Sequence, residues 1–192
     1  MPEGDLLIHC GDMFNLNEND QASLAEIDNW FGQQKFEQVL CIGGNHDLLL
    51  QAAVRKQTQP FKNAHYLQDA SYTFSELCIY GSPWVPDLPF HAFSRDSDEL
   101  ARTWAKIPER TDILVTHTPP FGILDKSRRS HSHGCPILGN ELDRIAPKVH
   151  CFGHVHASAG CTTVGRVRFI NASSIESETG RILPPITFFL ER

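Results

Sequence analysis

Four short polar segments, each directly after a run of apolar residues, most constrain how this chain can fold. They are Gly11-Asp12, residues 44–47 (Gly-Asn-His-Asp), Thr116-His117 and residues 153–156 (Gly-His-Val-His). The runs before them, LLIHC, VLCIG, ILVTH and VHCFG, have the composition of buried β-strands. Side chains that follow strands collect at the carboxyl edge of a sheet, where α/β proteins build ligand sites. The pattern therefore predicts an α/β fold with one polar site.

The residue types in these segments suit a metal site. One carboxylate, one amide and several imidazoles are typical ligands of Mn, Fe, Zn or Ni rather than Ca or Mg. Asp12 could bridge two cations, or it could simply make an Asx turn. Asn45 could supply the positive φ of a Gly-Gly-Asn turn, a role compatible with ligation. His154 and His156 are two residues apart, so on an extended strand both side chains would point to one centre.

Other polar residues near these segments have more ordinary interpretations. His46 could be a buried structural imidazole, and His9 is expected to be a core residue or a residue that contacts a metal ligand. Asp47 is interpreted as a helix N-cap, or as a partner that orients a ligand. Residues 128–133 (Arg-Arg-Ser-His-Ser-His) form a polar loop whose histidines are expected to be solvated. This loop could line the substrate entrance, because guanidinium groups suit phosphate.

Length and charge limit the classes of protein to consider. The 192 residues, 41% hydrophobic and 21% charged, suit a single globular domain over 1–192. The formal net charge of -6 argues against a nucleic-acid polymer as the main partner. A small anionic substrate remains possible, because bound metal ions can reverse the local field. Oligomeric state is not predicted by any of these features.

The six cysteines indicate a reducing environment. No two of them form a CxxC pair, and most lie in apolar runs, so they are expected to be reduced core residues. Neither a signal peptide nor a membrane-spanning apolar run is recognisable, so no membrane partner is expected. The cytoplasm is the expected location.

Hydrophobic periodicity predicts strands and helices that alternate first, followed by strand-rich stretches, which favours a layered α/β domain with mixed sheets. Strands are predicted over 5–10, 38–42, 65–67, 72–74, 77–80, 113–116, 149–152, 167–170 and 186–190. Helices are predicted over 20–34, with a cap near Asn19 or Asp20, and over 48–57, 96–106 and 137–146. The proline-rich stretch 81–92 is predicted to be a loop.

The ordered motifs Gly-Asp, Gly-Asn-His-Asp, His and Gly-His-x-His resemble those of the calcineurin-like metallophosphoesterases. The stretches RDSDELARTWAKIP, THTPPFGILD and HCFGHVHASAG are similar to the branch of metallophosphoesterase domain-containing proteins. The resemblance extends over nearly the whole chain from Gly4. It implies a four-layer αββα sandwich of two mixed sheets with a two-metal site. It also implies hydrolysis of phosphoesters, usually phosphodiesters or phosphomonoesters, by a metal-bound hydroxide. The acidic composition favours small phosphodiesters among these substrates.

The resemblance also implies a role for each matching residue. Asp12 matches the carboxylate that bridges the two metals. Asn45, His117 and His154 match the other ligands of the second metal, and His156 matches a ligand of the first. His46 matches the residue that contacts the phosphate, beside Asn45, and protonates the leaving oxygen. Manganese is one of the expected ions.

One family motif, Asp-x-His on an opening strand, has no counterpart here. Only eleven residues precede Asp12, and a strand needs about five. The first strand is therefore expected to be missing, which leaves the second metal site complete and the first with only Asp12 and His156. Either an upstream segment has been lost, with Met1 an internal methionine, or the protein naturally has half a site. We favour the loss of an upstream segment.

Two other functions are alternatives to hydrolysis. A binding or scaffold protein could retain the phosphoesterase fold with an incomplete metal site, and the missing motif favours it. However, a scaffold has no need of the remaining ligands or of His46. A purely structural zinc site is disfavoured, because closed zinc sites use cysteines at spacings that are not found here.

Overall fold

The computed structural model describes residues 2–14, 21–56, 59–176 and 178–190. The strands are β1 (Gly4–His9), β2 (Phe36–Cys41), β3 (His65–Tyr66), β4 (Ala70–Phe74), β5 (Leu77–Ser82), β6 (Val85–Pro86), β7 (Ser94–Arg95), β8 (Ile113–Thr116), β9 (Val149–Phe152), β10 (Gly160–Val164) and β11 (Val167–Asn171). The helices are α1 (Gln21–Gly32), α2 (Leu48–Val54), α3 (Ser97–Trp104) and α4 (Pro136–Ile145), with a 3-10 turn at His156–Ser158.

Two main sheets organise the chain. The first is parallel and has the order β1-β2-β3. The second has six strands in the order β10-β11-β9-β8-β5-β4 and is mixed: β4 and β10 are antiparallel to their neighbours, and the four strands between them are parallel. Strands β6 and β7 form a separate short parallel pair.

Side-chain alternation along β2 shows why the sheets are covered on both faces. Leu40 and Ile42 belong to an apolar cluster shared with residues of β8, β9 and β11, so they lie between the two sheets. Val39 and Cys41 belong to the other cluster, with Phe31 of α1. Leucine and tryptophan side chains of α3 and α4 extend that cluster over the six-stranded sheet. The predicted α/β sandwich with helices on both outer faces is confirmed.

Helix ends follow from local sequence. Asp96 caps α3 by accepting a hydrogen bond from the Glu99 N–H at 2.8 Å, and the Glu99 side chain returns to the Asp96 N–H, which completes a capping box. Pro136 occupies the first turn of α4, where its missing N–H costs nothing. Ala146 ends α4 in the left-handed conformation. None of the helices in the described residues has the length and apolar character needed to cross a bilayer.

The predicted elements agree with the structure apart from four strands and a few boundaries. The two-residue strands β6 and β7 were not predicted, and β6 lies within the stretch 81–92 that was predicted to be a loop. The segment 186–190 is not a strand: Ile186, Phe188 and Leu190 pack against the core between the sheets, but the segment joins no ladder. Strand β10 was not predicted, because its sequence GCTTV is short and largely polar. The predicted ends at residues 20 and 57, and the cap near Asn19 or Asp20, lie outside the described residues.

Candidate metal centre

Four loops at the carboxyl ends of parallel strands form the polar site. Asp12 follows β1, Asn45 follows β2, His117 follows β8 and His154 follows β9. In each sheet the two contributing strands are adjacent and parallel, so their loops emerge at the same edge. The structure brings these four predicted residues together.

Their polar atoms converge on one point. Ligand atoms of Asp12, His117 and His154 all lie within 4.8 Å of one another. The Asp12 Oδ2 atom is 3.3 Å from His117 Nε2. The Asn45 Oδ1 atom is 3.0 Å from His117 Nε2 and 2.8 Å from His154 Nδ1. Asn45, which is itself buried, therefore completes a cluster of two oxygens and two ring nitrogens.

Hydrogen bonding fixes how His117 presents its ring. The Nδ1 atom lies 2.7 Å from the carbonyl oxygen of Cys10, which can only accept, so Nδ1 carries the proton. In the neutral ring, Nε2 is then an acceptor and faces two further acceptors, Asp12 Oδ2 and Asn45 Oδ1. Acceptors that converge on one point need a cation between them, either a proton or a metal ion. The set of ligand atoms, two oxygens and two ring nitrogens, therefore fits a divalent transition metal.

Burial and neighbouring charges shift the pKa values of these groups in different directions. Burial lowers the pKa of His117, but the Asp12 carboxylate outweighs it and the net shift is upward. Burial opposes ionisation of Asp12, yet the His117 ring and the His46 N–H bring the pKa of that carboxyl below its usual value. Burial, with His117 beside it, lowers the pKa of His154 to about 3. At neutral pH His154 is thus uncharged and has a lone pair to offer.

The loop backbone is specialised to bring these atoms close. Asp12 and His154 are left-handed, with φ of 57° and 67°. Gly44 packs against both Asp12 and His117: a Cβ there would overlap Asp12 Oδ1 and lie 2.6 Å from His117 Cε1. A side chain at this position would push the metal-facing groups apart.

The prediction that His154 and His156 share one face of an extended strand is wrong. His154 lies in a left-handed turn after β9, and His156 begins the 3-10 turn. His156 is half-buried and is not one of the three residues whose ligand atoms cluster. It nevertheless lies close enough to Asp12 and His46 for their charges to affect its pKa, which burial lowers. The left-handed turn, rather than strand alternation, determines where the two rings point.

His46 lies beside the cluster. Its backbone N–H donates to Asp12 Oδ1 at 2.9 Å, so the two loops are joined directly at the proposed bridging carboxylate. Its side chain is partly exposed. His9, expected in the core, packs edge-on against Phe31 and accepts a hydrogen bond from the Gly11 N–H at 3.3 Å.

Asp47 joins the Asp12 loop to the Asn45 loop. Its Oδ2 accepts from the N–H of Asp12 at 2.9 Å and of Gly44 at 2.7 Å. Its Oδ1 accepts from the N–H of Met13 at 2.7 Å and of Phe14 at 3.2 Å. Asp47 is fully buried and, although it occupies the N-cap position of α2, makes no side-chain cap bond. Of the two predicted interpretations, the partner that orients a ligand agrees with these contacts.

The ionisation of Asp47 is finely balanced. Burial and the nearby Asp12 carboxylate raise the pKa of Asp47 to about 7, while the N–H donors of Gly44 and Met13 act in the opposite direction. No local sequence pattern revealed this role, because three of its four donors lie more than thirty residues away. The only signal was an acidic residue next to the predicted ligands.

The segment that follows His117, residues 118–135, forms a long loop that borders the site. The buried Asp125 carboxylate accepts through Oδ2 from the N–H of Gly122 at 3.0 Å and of Gly134 at 3.2 Å, which closes the loop at both ends. The histidines at 131 and 133 are exposed, as predicted for a solvated loop. Arg128 pairs with Glu176 at 3.8 Å and with Glu178, so its guanidinium group is already occupied.

The chain is similar to known proteins in sequence and in fold. The family model described as calcineurin-like phosphoesterase matches residues 2–158. A UPF0046 protein of Caenorhabditis elegans is 33% identical over 208 residues, which cover 98% of this chain and 73% of that protein. Metallophosphoesterase domain-containing protein 1 of Homo sapiens is 31% identical over 216 residues, which cover 99% of this chain and 66% of that protein. The phosphopantetheinyl hydrolase of Mycobacterium tuberculosis shares the fold, with a TM-score of 0.59, 16% identity and coverage of 88% of this chain and 78% of that chain.

Proposed function

The chain belongs to the calcineurin-like phosphoesterase family, and from that premise we propose that it hydrolyses small phosphoesters, phosphodiesters in particular, in a metal-dependent reaction. The observation that carries the proposal is the convergence of four atoms that can ligate a metal, from Asp12, Asn45, His117 and His154, on one point. Two oxygens and two ring nitrogens in this arrangement are suited to a transition-metal cation. A bound cation is in turn suited to an anionic substrate.

Each residue of the site is given a separate role in metal binding. Asp12, with two carboxylate oxygens, is proposed to bridge two ions, of which Asn45, His117 and His154 would hold one and His156 the other. Divalent ions held there would lower the pKa of bound water and stabilise charge that develops on the phosphoryl group. Manganese is our choice for the first assay among Mn, Fe, Zn and Ni.

His46 and Asn45 are proposed to position the substrate. The His46 side chain is partly exposed beside Asp12, and its backbone is fixed by the bond to Asp12 Oδ1. Its ring would contact a phosphoryl oxygen and deliver a proton to the leaving oxygen. The amide of Asn45 is neutral, so it would bind without cancelling the positive charge that attracts the substrate. The six free cysteines suit a reducing compartment, and the cytoplasm is the proposed location.

The test is hydrolysis of bis(4-nitrophenyl) phosphate by protein that has been stripped with a chelator and reloaded with manganese. We expect activity to return with the metal. Asp12→Asn should reduce it on the order of 100-fold or more, because one bridging oxygen is replaced by an amide nitrogen that cannot bind a cation. Asp143→Asn, the same chemical change at an exposed position on α4, is the matched control.

Metal content, measured by elemental mass spectrometry on the same samples, separates binding from catalysis. One ion per chain would fit the ligand set formed by Asp12, Asn45, His117 and His154. Two would indicate that further groups complete the site around His156. If Asp12→Asn kept both its manganese and its activity, the proposed function would be wrong, and a binding protein with this fold would be the better description.

A further inference from the structure

Positive charge is concentrated in one segment beside the metal centre, and the proposed function gives this segment no role. Between Asp125 and Glu141 the chain has three cationic residues and two histidines and no acidic residue, although its formal net charge is -6. These five residues, Lys126, Arg128, Arg129, His131 and His133, lie within residues 126–133, which we call the basic hairpin. A concentrated positive segment in an acidic protein attracts anions locally.

The basic hairpin is an ordered element. Lys126 and Ser132 form an antiparallel bridge. The Ser127 N–H donates to the His131 carbonyl at 2.9 Å, and the Ser130 N–H donates to the Ser127 carbonyl at 2.8 Å, which closes the turn. At its base, the His133 N–H donates to the Asp125 carbonyl at 2.9 Å. A fixed backbone presents its side chains at a low entropic cost on binding.

The basic hairpin is fastened to the loop that carries two proposed ligands. Ser158, at the end of the 3-10 turn that His156 begins, accepts from the Lys126 N–H at 3.1 Å and donates to the Lys126 carbonyl at 2.7 Å. The buried Asn171 side chain donates to the carbonyls of Leu124 at 3.0 Å and Val155 at 2.9 Å, so it joins the same two segments again.

Two cations of the basic hairpin have no acidic partner. Arg128 is occupied by Glu176 and Glu178. Lys126 and Arg129 are exposed, and neither makes an ion pair with any residue that the structure describes. Their charges are therefore available to a ligand that approaches the metal centre.

We propose that the basic hairpin forms a second anion subsite, so that preferred substrates carry a phosphate or carboxylate group in addition to the phosphoester that is hydrolysed. The proposal rests on the proposed function, since it places the scissile group at the metal centre. His133 and Arg129 would contact the second anion, and the bonds of Ser158 and Asn171 would hold the subsite in register with the ligands. A substrate with a neutral remainder would leave these cations solvated and would gain nothing from them.

Two matched pairs of ligands test the subsite by calorimetric titration of the manganese-loaded protein. The first pair is glycerol 3-phosphate and 3-phosphoglycerate, which differ by a carboxylate. The second pair is adenosine 5'-monophosphate and adenosine 3',5'-bisphosphate, which differ by a phosphate. We expect about a fivefold preference for the second member of at least one pair, the size of an exposed charge contact, and a smaller preference at high salt.

Single substitutions identify which residues produce the anion preference. Arg129→Ala and His133→Ala should each lower the preference toward one. Arg166→Ala removes the same charge as Arg129→Ala from the exposed turn between β10 and β11 and should leave the preference intact. Absence of a preference in both ligand pairs, or its persistence in both hairpin variants, would overturn the subsite.

Binding and hydrolysis can fail separately. If the protein shows the anion preference but does not hydrolyse bis(4-nitrophenyl) phosphate, the subsite stands and the proposed function falls. If it hydrolyses that ester but binds both members of each pair equally, the proposed function stands and the subsite falls. The pair that shows the larger preference identifies the second anion as a carboxylate or a phosphate.

Discussion

Two buried aspartates hold the two sides of this site, and they do so unequally. Asp47 uses both carboxylate oxygens, each accepting two backbone N–H groups, to tie the Asp12 loop to the Asn45 loop. Asp125 uses only Oδ2, which accepts from two glycine N–H groups, while its buried Oδ1 has no partner among the described residues. The carboxylate of Asp47 on the ligand side is therefore fully hydrogen-bonded, and the carboxylate of Asp125 on the hairpin side is only partly so.

The difference indicates where the site needs fixed geometry. Metal ligands must keep their positions to within a fraction of an ångström, and the residues that orient them matter nearly as much as the ligands themselves. Asp47 meets that need by binding the backbone N–H groups of Gly44 and of residues 12–14. A loop that contacts the variable part of a substrate can tolerate a looser attachment. Replacing each carboxylate by an amide tests this comparison, because an amide offers one acceptor atom and one donor.

The largest effect is expected for Asp47→Asn. Whichever way the amide is turned, its NH₂ group must face two backbone N–H donors, so two donors lose their acceptor and a third donor is buried among them. We expect a loss of about 3 kcal/mol in the free energy of unfolding. Urea denaturation followed by circular dichroism measures it. Manganese affinity should fall in the same variant, because Asp12 and Asn45 are no longer held together.

A loss below about 1 kcal/mol would contradict the role given to Asp47. The relevant control is the conservative variant Asp47→Glu, which retains two acceptors on a longer side chain. It should be less stable than wild type, because Asp47 is fully buried and an added methylene in a packed interior displaces its neighbours. It should nevertheless bind manganese better than Asp47→Asn does.

His150 extends the comparison to a second half-satisfied group. On β9, its Nε2 lies 2.8 Å from Thr116 Oγ1, next to the proposed ligand His117, while Nδ1 is buried without a partner among the described residues. Burial lowers the pKa of His150 to about 3. An unfolded chain takes up this proton near pH 6.5, so the stability contributed by the neutral ring is complete above pH 6.5 and is lost as pH falls toward 3.

At pH 5 the buried neutral ring of His150 is expected to lower the free energy of unfolding by about 2 kcal/mol relative to pH 6.5 and above. This follows from about 1.4 kcal/mol for each pH unit below 6.5. Urea denaturation at pH 7.5 and pH 5 measures it. Because His9 and His154 also have lowered pKa values, the slope of the wild type is composite. The difference between wild type and His150→Gln isolates the contribution of His150. Identical pH dependence in the two proteins would show that His150 is not buried in its neutral form.

The convergence of the four proposed ligands could be predicted from sequence because a local rule governs where they lie. A buried strand followed by a polar turn places its first side chains at the sheet edge, and this was sufficient for Asp12, Asn45, His117 and His154. The orientation of His156 could not be predicted, because nothing in the sequence marked the left-handed turn at His154. The Val155 N–H closes this turn by donating to the Gly153 carbonyl at 2.7 Å.

The same limit applies to parts of the fold. Strand β10 was missed because a short polar strand is defined by its pairing with β11 and not by its own pattern. The segment 186–190 has the alternation of a strand, with Ile186, Phe188 and Leu190 on the core side, yet it has no ladder partner among the described residues. Alternation reports burial on one face, whereas a strand also needs a neighbour that can receive its hydrogen bonds.

The smallest effect is expected for Asp125→Asn, and it decides whether the comparison holds. With the amide oxygen in the place of Oδ2, both glycine bonds are retained, and the NH₂ group lies where an unpartnered oxygen lay before. We therefore expect a change of less than about 1 kcal/mol in the free energy of unfolding, measured beside Asp47→Asn under identical conditions. Asp125→Ala removes the acceptor for both glycines and should cost about 2 kcal/mol, which shows that the position itself matters. If Asp125→Asn cost as much as Asp47→Asn, then Oδ1 would have a partner of its own, and the hairpin side would be held as firmly as the ligand side.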